Sequence, residues 1–125
     1  MEVFYSPEER TKMIQGVGHE IYRMFKNQTS VDDTQELEDW CTNYLGEVAI
    51  SAKEDAVNDD DIINQLRRYS LEDLHIPSEA TCKKIIGPFF NYDRRDKKFA
   101  DASYRKQLWY LWVEKCPDIE VILNF

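Results

Sequence analysis

The sequence predicts an all-α protein of about five helices in one compact domain, and three observations lead there. Apolar residues recur at helical spacing over three long stretches, Ile14–Phe25, Leu37–Ala52 and Tyr104–Trp112. Helix-start signals stand before the helical stretches: Ser6-Pro7-Glu8-Glu9, the Asp32-Asp33 pair and Ser78. A chain of 125 residues, 42% hydrophobic and 13% aromatic, is large and apolar enough to bury a modest core without disulfides or metals.

In the first helix Ser6 is placed to cap, Pro7 suits the first helical position and Glu9 completes a capping box. Ile14, Val17, Ile21, Met24 and Phe25 follow along one stripe. Gly16 and Gly18 each weaken this helix by up to about 1 kcal/mol relative to Ala, and they admit a close helix crossing. Residues 27–30 read as a turn. Asp32 or Asp33 is expected to cap the second helix, with Glu36 well placed in its first turn. Leu37, Cys41, Tyr44, Val48 and Ala52 form its buried stripe, with Trp40 and Leu45 beside it. The pattern reaches Ala56, a helix of roughly six turns.

Asn58 to Asp60 offer caps for a short helix carrying Ile62, Ile63 and Leu66. Leu71 and Leu74 precede a break at Ile76-Pro77. Ser78 starts a fourth helix with Ala80, Cys82, Ile85 and Ile86, and Gly87-Pro88 ends it. Phe89, Phe90 and Tyr92 are expected to anchor an irregular segment, and residues 91–98 to form an exposed loop. Phe99 to Lys115 reads as a last long helix with Tyr104, Leu108, Leu111 and Trp112 on one face, widened by Trp109, Tyr110 and Val113. Pro117 interrupts it before a short apolar tail, 119–125. The domain, 1–125, thus divides into an N-terminal helical core, 6–74, and a C-terminal helical extension, 77–125.

The net charge of -8 is unevenly spread. Residues 32–61 hold eleven acids against one base, Lys53, whereas residues 83–106 hold eight bases against three acids. An acidic half repels phosphate and attracts basic surfaces, so direct nucleic-acid binding is not expected. The basic segment is interrupted by Asp93, Asp96 and Asp101 and reads as a solvated face or an internal complement to the acids.

Few features carry chemistry. The start, MEVFYSPEER, has no long apolar run, so no secretory leader is expected. No stretch approaches the roughly 20 apolar residues of a membrane span, so no membrane role is expected. Cys41, Cys82 and Cys116 are odd in number and far apart, which points to reduced, buried thiols and an intracellular site, cytoplasmic or nuclear.

His19 and His75 lack a metal-ligating neighbour at helical spacing and read as surface or half-buried histidines. A calcium loop begun at Asp55 fails, with Val57 at its third position and Asp60 where a glycine belongs. No catalytic, cofactor-binding or metal residue is assigned, and no cofactor is implied. Arg67-Arg68-Tyr69-Ser70 fits a short basophilic kinase pattern, although the arginines equally complement a helix C-terminus. The aromatic block Tyr104, Trp109, Tyr110, Trp112 is richer than one helix face needs. The interface candidates are therefore Asp59, Asp60, Asp61, Trp109, Tyr110 and Trp112.

A long central helix, a short linker and an Asp-led helix ending in Leu-Arg-Arg resembles the second half of a histone fold. The matching residues are Ala52, Lys53, Ala56, Val57, Asp61, Ile62, Leu66 and Arg68, with Leu37, Cys41, Tyr44 and Val48 as the central stripe. The likeness covers roughly residues 10–70 and is nearer to TBP-associated factors and the centromere protein S group than to core histones. It implies a homo- or heterodimer in a transcription or chromatin assembly. The family's basic loop is Lys53-Glu54-Asp55 here, which turns the expected partner from DNA toward protein. Residues 77–125 match nothing in that family.

Three function classes follow. The first is a non-enzymatic acidic interaction module, histone-fold-like, whose partner presents a basic or apolar surface; Leu37, Val48, Ile62 and Leu66 then share a core or a dimer interface. The alternative is an acidic helical inhibitor, of the viral or bacterial immunity or anti-restriction type, that mimics nucleic acid or blocks a basic cleft. An enzyme using His19 or His75 ranks last.

Overall fold

A computed structural model describes residues 6–29, 31–32, 34–87, 97–115 and 119–123. The chain is all-α. Seven helices occupy the described residues: α1 Pro7–Gln28, α2, α3 Asp61–Leu66, α4 Glu79–Ile86, α5 Lys97–Ala100, α6 Tyr104–Lys115 and α7 Ile119–Ile122. Helix α2 is composite, running over Gln35–Trp40, a π-helical turn at Cys41–Leu45, and Gly46–Asp55. Among the described residues there is no strand. The expected Asp33 cap, the Phe89, Phe90 and Tyr92 anchors, most of the 91–98 loop, Cys116 and Pro117 lie outside the described residues.

The helix starts follow local chemistry. Ser6 Oγ accepts the Glu9 amide at 3.1 Å, with Pro7 in the first turn. Ser78 Oγ accepts the Thr81 amide at 3.4 Å. Asn58 Oδ1 accepts the Asp61 amide at 3.0 Å and so supplies the α3 cap. The expectation for α2 needs correction: the cap is Thr34, whose Oγ1 accepts the Leu37 amide at 3.0 Å. Asp32 sits two residues before the cap, and its amide instead donates to Ile85 O at 2.6 Å, tying the loop to α4. Helix α6 is also shorter than expected. Ser103 Oγ accepts the Lys106 amide at 3.2 Å and begins a new helix, so Lys97–Ala100 is separate.

A single buried cluster draws side chains from all seven helices, so the N-terminal core and the C-terminal extension share it. Leu37, Val48, Ile62 and Leu66 meet in it within one chain. Two ties cross it: Arg10 Nη2 donates to Glu54 Oε1 at 2.8 Å, and the buried Lys53 Nζ donates to Leu123 O at 2.6 Å. Burial lowers the Lys53 pKa, and the carboxylate of Asp59 works against that shift.

Helices α1 and α2 cross closely where Gly18 meets the π turn. A Cβ on Gly18 would lie 2.5 Å from Cys41 O and 2.6 Å from Thr42 Cα. A Cβ on Gly46 would collide with Ile14 O. Gly16, read alongside Gly18 as a crossing residue, has nothing within 4 Å of its Cβ position and faces open space.

These three glycines make opposite demands on alanine. Gly18→Ala and Gly46→Ala are expected to destabilise by about 1–3 kcal/mol, because overpacking against backbone outweighs the propensity gain. Gly16→Ala is expected to stabilise by up to about 1 kcal/mol, since only the propensity term operates. Urea denaturation of the three variants checks both signs.

Candidate functional site

The sequence places Tyr44 on the buried stripe of α2; the structure places it outside, 43% exposed, while Leu45 is fully buried. The π turn is the cause. The Gly46 amide donates to Cys41 O, five residues back, so this turn holds about one residue more than an α turn. Tyr44 swings off the stripe and Leu45 lines up beneath Cys41, which together with Val48 and Ala52 stays buried.

The ring of Tyr44 stacks on His75, with centroids 4.6 Å apart and planes 24° from parallel. His75 holds φ at 53°, in the left-handed region that non-glycine residues enter at a cost. The turn before it is pinned by a reciprocal cap. The Ser70 amide and Oγ each donate to Asp73 Oδ2 at 3.0 Å, and the Asp73 amide donates back to Ser70 Oγ at 3.3 Å. Ser70, the residue of the kinase pattern, is thus exposed and engaged as a cap.

Two side chains fix the segment after the turn. Trp40 Nε1 donates to Leu74 O at 3.0 Å from one side. Arg105 reaches from α6 on the other, donating to Pro77 O at 3.0 Å and Ile76 O at 3.3 Å, with Glu72 Oε1 at 3.4 Å. Glu79 Oε2 holds the start of α6 by accepting the Tyr104 amide at 3.0 Å.

Between α2, this segment and Arg105 lies an open groove of about 520 Å³, a size usual for ligand sites. Its lining includes Glu36, Asp39, Trp40, Tyr44, Glu72, His75 and Arg105. Three carboxylates against one guanidinium leave the lining acidic. Lys84 approaches Glu36 at 3.7 Å, but both are well exposed and such pairs hold weakly.

The residues read from sequence as an interface do not gather here. Asp59 and Asp60 are exposed in the turn before α3, and Asp59 borders a separate hollow of about 270 Å³ with Ile62, Glu120, Val121 and Leu123. Asp61 is committed within the chain: its Oδ2 accepts the Val57 amide at 3.2 Å and Gln65 Nε2 at 3.0 Å. Trp112 is fully buried and belongs to the core rather than to an accessible surface. Trp109 and Tyr110 are half-buried and pack edge to face at 5.1 Å, with Trp109 Nε1 donating to Tyr69 O at 3.2 Å. The surplus of aromatics is absorbed by covering α6 on more than one side.

His19 is half-buried against Tyr22, at 6.0 Å between rings. Among the described residues no three His, Cys, Asp or Glu side chains cluster to hold a metal, and no helix is long and apolar enough to cross a membrane. Cys41 and Cys82 are buried, and burial pushes both thiols up, Cys82 to about 12. Thiols of that kind are poor nucleophiles at neutral pH.

The two capping carboxylates carry a pH signature. Asp61 is held below the usual carboxylate range by the Gln65 and Val57 hydrogen bonds, and Asp73 by those from Ser70. Lowered values mean stability present above the unfolded value, about 3.9, and lost as pH falls through the lower folded value. Thermal unfolding below about pH 4 is expected to fall less steeply for Asp61→Asn and Asp73→Asn than for the parent chain.

Neither a family model, nor a curated protein, nor a solved structure matches this chain.

Proposed function

We propose that the chain is a non-enzymatic, acidic helical interaction domain that receives a basic segment of a protein partner. One observation carries this reading: Glu36, Asp39 and Glu72 line the groove into which the exposed Tyr44–His75 stack projects. Charge across the molecule supports it. The Arg10 guanidinium is spent on Glu54, Lys53 on a core carbonyl and Arg105 on the 76–77 carbonyls, so these cations serve the fold. The exposed acids then dominate the field that a partner meets, which speeds and orients the approach of a basic surface.

Burial bears on the partner's identity. Leu37, Val48, Ile62 and Leu66, expected of a histone fold to share a core or a dimer interface, are covered inside one chain. Among the described residues the exposed large apolar side chains are Tyr44, Val57 and Val121, too dispersed for a large apolar interface. That supports a monomer docking by charge rather than a subunit of a histone-type pair. An inhibitor occupying a basic cleft is the form this reading takes when the partner is an enzyme.

Two measurements test it. Light scattering at micromolar concentration is expected to give the mass of one chain, 14.9 kDa; a dimer would favour the histone-fold reading instead. Reversing Asp39 and Glu72 together to Lys is expected to weaken capture of an arginine- and lysine-rich peptide by about tenfold or more, with a reduced salt dependence. Equal capture by the parent chain and this variant would sink the groove as the binding face.

A further inference from the structure

We infer that the groove is a seat for an arginine side chain, presented by an extended basic segment and laid over the Tyr44–His75 stack. The inference rests on the interaction reading above and narrows it to one side-chain chemistry.

Four features argue for it. The first is the platform. Tyr44 and His75 stack at 4.6 Å and 24°, both are exposed and both line the groove, so the pair offers an outer ring face as a π surface there. A planar, weakly hydrated guanidinium stacks on such a surface, whereas an ammonium keeps its water shell and approaches as a point charge.

The second feature is the acid wall beside the platform. Glu36 and Asp39 stand one turn apart on α2, on the groove side. Among the described residues Asp39 receives a hydrogen bond at Oδ1 alone, from Gln35 Nε2 at 2.9 Å. Its second oxygen is left to accept from a guanidinium, whose fixed fork suits a carboxylate. Phosphate is disfavoured by the same wall, which excludes a nucleic-acid backbone as the occupant.

The third feature is that Arg105, which also lines the groove, is already engaged. Arg105 is held by two backbone carbonyls and Glu72, and these bonds keep its guanidinium in place. The volume of about 520 Å³ accommodates one long side chain and the backbone that carries it.

The fourth feature is backbone strain. The stack exists because two irregular conformations converge: the π turn that expels Tyr44 and the left-handed φ of His75. The π turn departs from regular α geometry and only His75 is strained; π turns and strained residues both recur at functional sites.

The experiment uses the full chain and three labelled, otherwise identical Gly/Ser-based peptides carrying arginine, lysine or citrulline at the same positions. Fluorescence anisotropy is read at one ionic strength, about 0.1 M. The arginine peptide is expected to bind about fivefold or more tighter than the lysine peptide, and the neutral citrulline peptide to lose binding. Tyr44→Ala is expected to erase the arginine preference, Tyr44→Phe to keep it, and Asp39→Asn to weaken both cationic peptides. A backbone-amide NMR map on the unaltered chain must place the arginine peptide's shifts at Asp39, Tyr44 and His75. Equal affinity for arginine and lysine, a preference that survives Tyr44→Ala, or shifts centred on Asp59 and Asp60 would each overturn the arginine seat while leaving an acidic interaction domain standing. Failure of both cationic peptides to bind would overturn the two readings together.

Discussion

The close crossing of α1 and α2 is the constraint on which the rest of the structure depends. Gly18 lies against the Cys41 carbonyl and the Thr42 backbone, and Gly46 against the Ile14 carbonyl, so no side chain separates the two helices there. The π turn spans this contact, over Cys41–Leu45. Its wider turn aligns Leu45 under Cys41 and sends Tyr44 to the surface. The groove's aromatic platform is thus a product of how two helices meet in the core. A substitution that pushes them apart acts on the surface some distance from itself.

Electrostatics divides along a similar line. The chain carries -8, yet several of its cations point inward to carbonyls or to one chosen carboxylate. Exposed ion pairs contribute about 0–1 kcal/mol each, so pairs such as Lys84–Glu36 do little for stability and leave the field little changed. Buried Lys53 differs. Its Nζ bonds to Leu123 O and joins the end of α2 to the residue after α7, so that a charge holds the C-terminal segment to the N-terminal core. Of the basic segment, Lys84 reaches the acidic stretch at Glu36, whereas Arg105 pairs with Glu72, which lies outside it.

What the sequence made legible was local. Caps at Ser6, Asn58 and Ser78 need a side-chain oxygen three residues before an amide, and spacing alone reveals them. The buried stripes of α1 and α6 follow from regular periodicity, and Gly18 sits at a close helix crossing as its place in the helix predicts. The candidate site was largely illegible because it depends on departures from period. Tyr44 has the spacing of a core residue and is exposed only through one extra residue in a turn. Asp61 looks like a surface acid and is a local cap, while the Trp112 ring, in an aromatic-rich stretch, is needed by the core. Glu72 and Arg105 stand 33 positions apart and meet only through tertiary packing.

The groove is held in shape by contacts within the chain. Its floor segment is gripped from three directions: Trp40 holds the Leu74 carbonyl, Arg105 the carbonyls of Ile76 and Pro77, and the Ser70–Asp73 cap closes the preceding turn. With those groups engaged, contacts within the chain surround the left-handed backbone of His75. Binding costs are dominated by freedom lost on association, and a rigid receptor leaves most of that loss to the partner. An extended basic segment loses much of its own freedom in docking, so its affinity stays modest unless the receiving surface is already ordered. On the proposed reading, the fold itself bears the cost of the left-handed φ at His75, and the acids and rings of the groove would meet a partner without rearrangement.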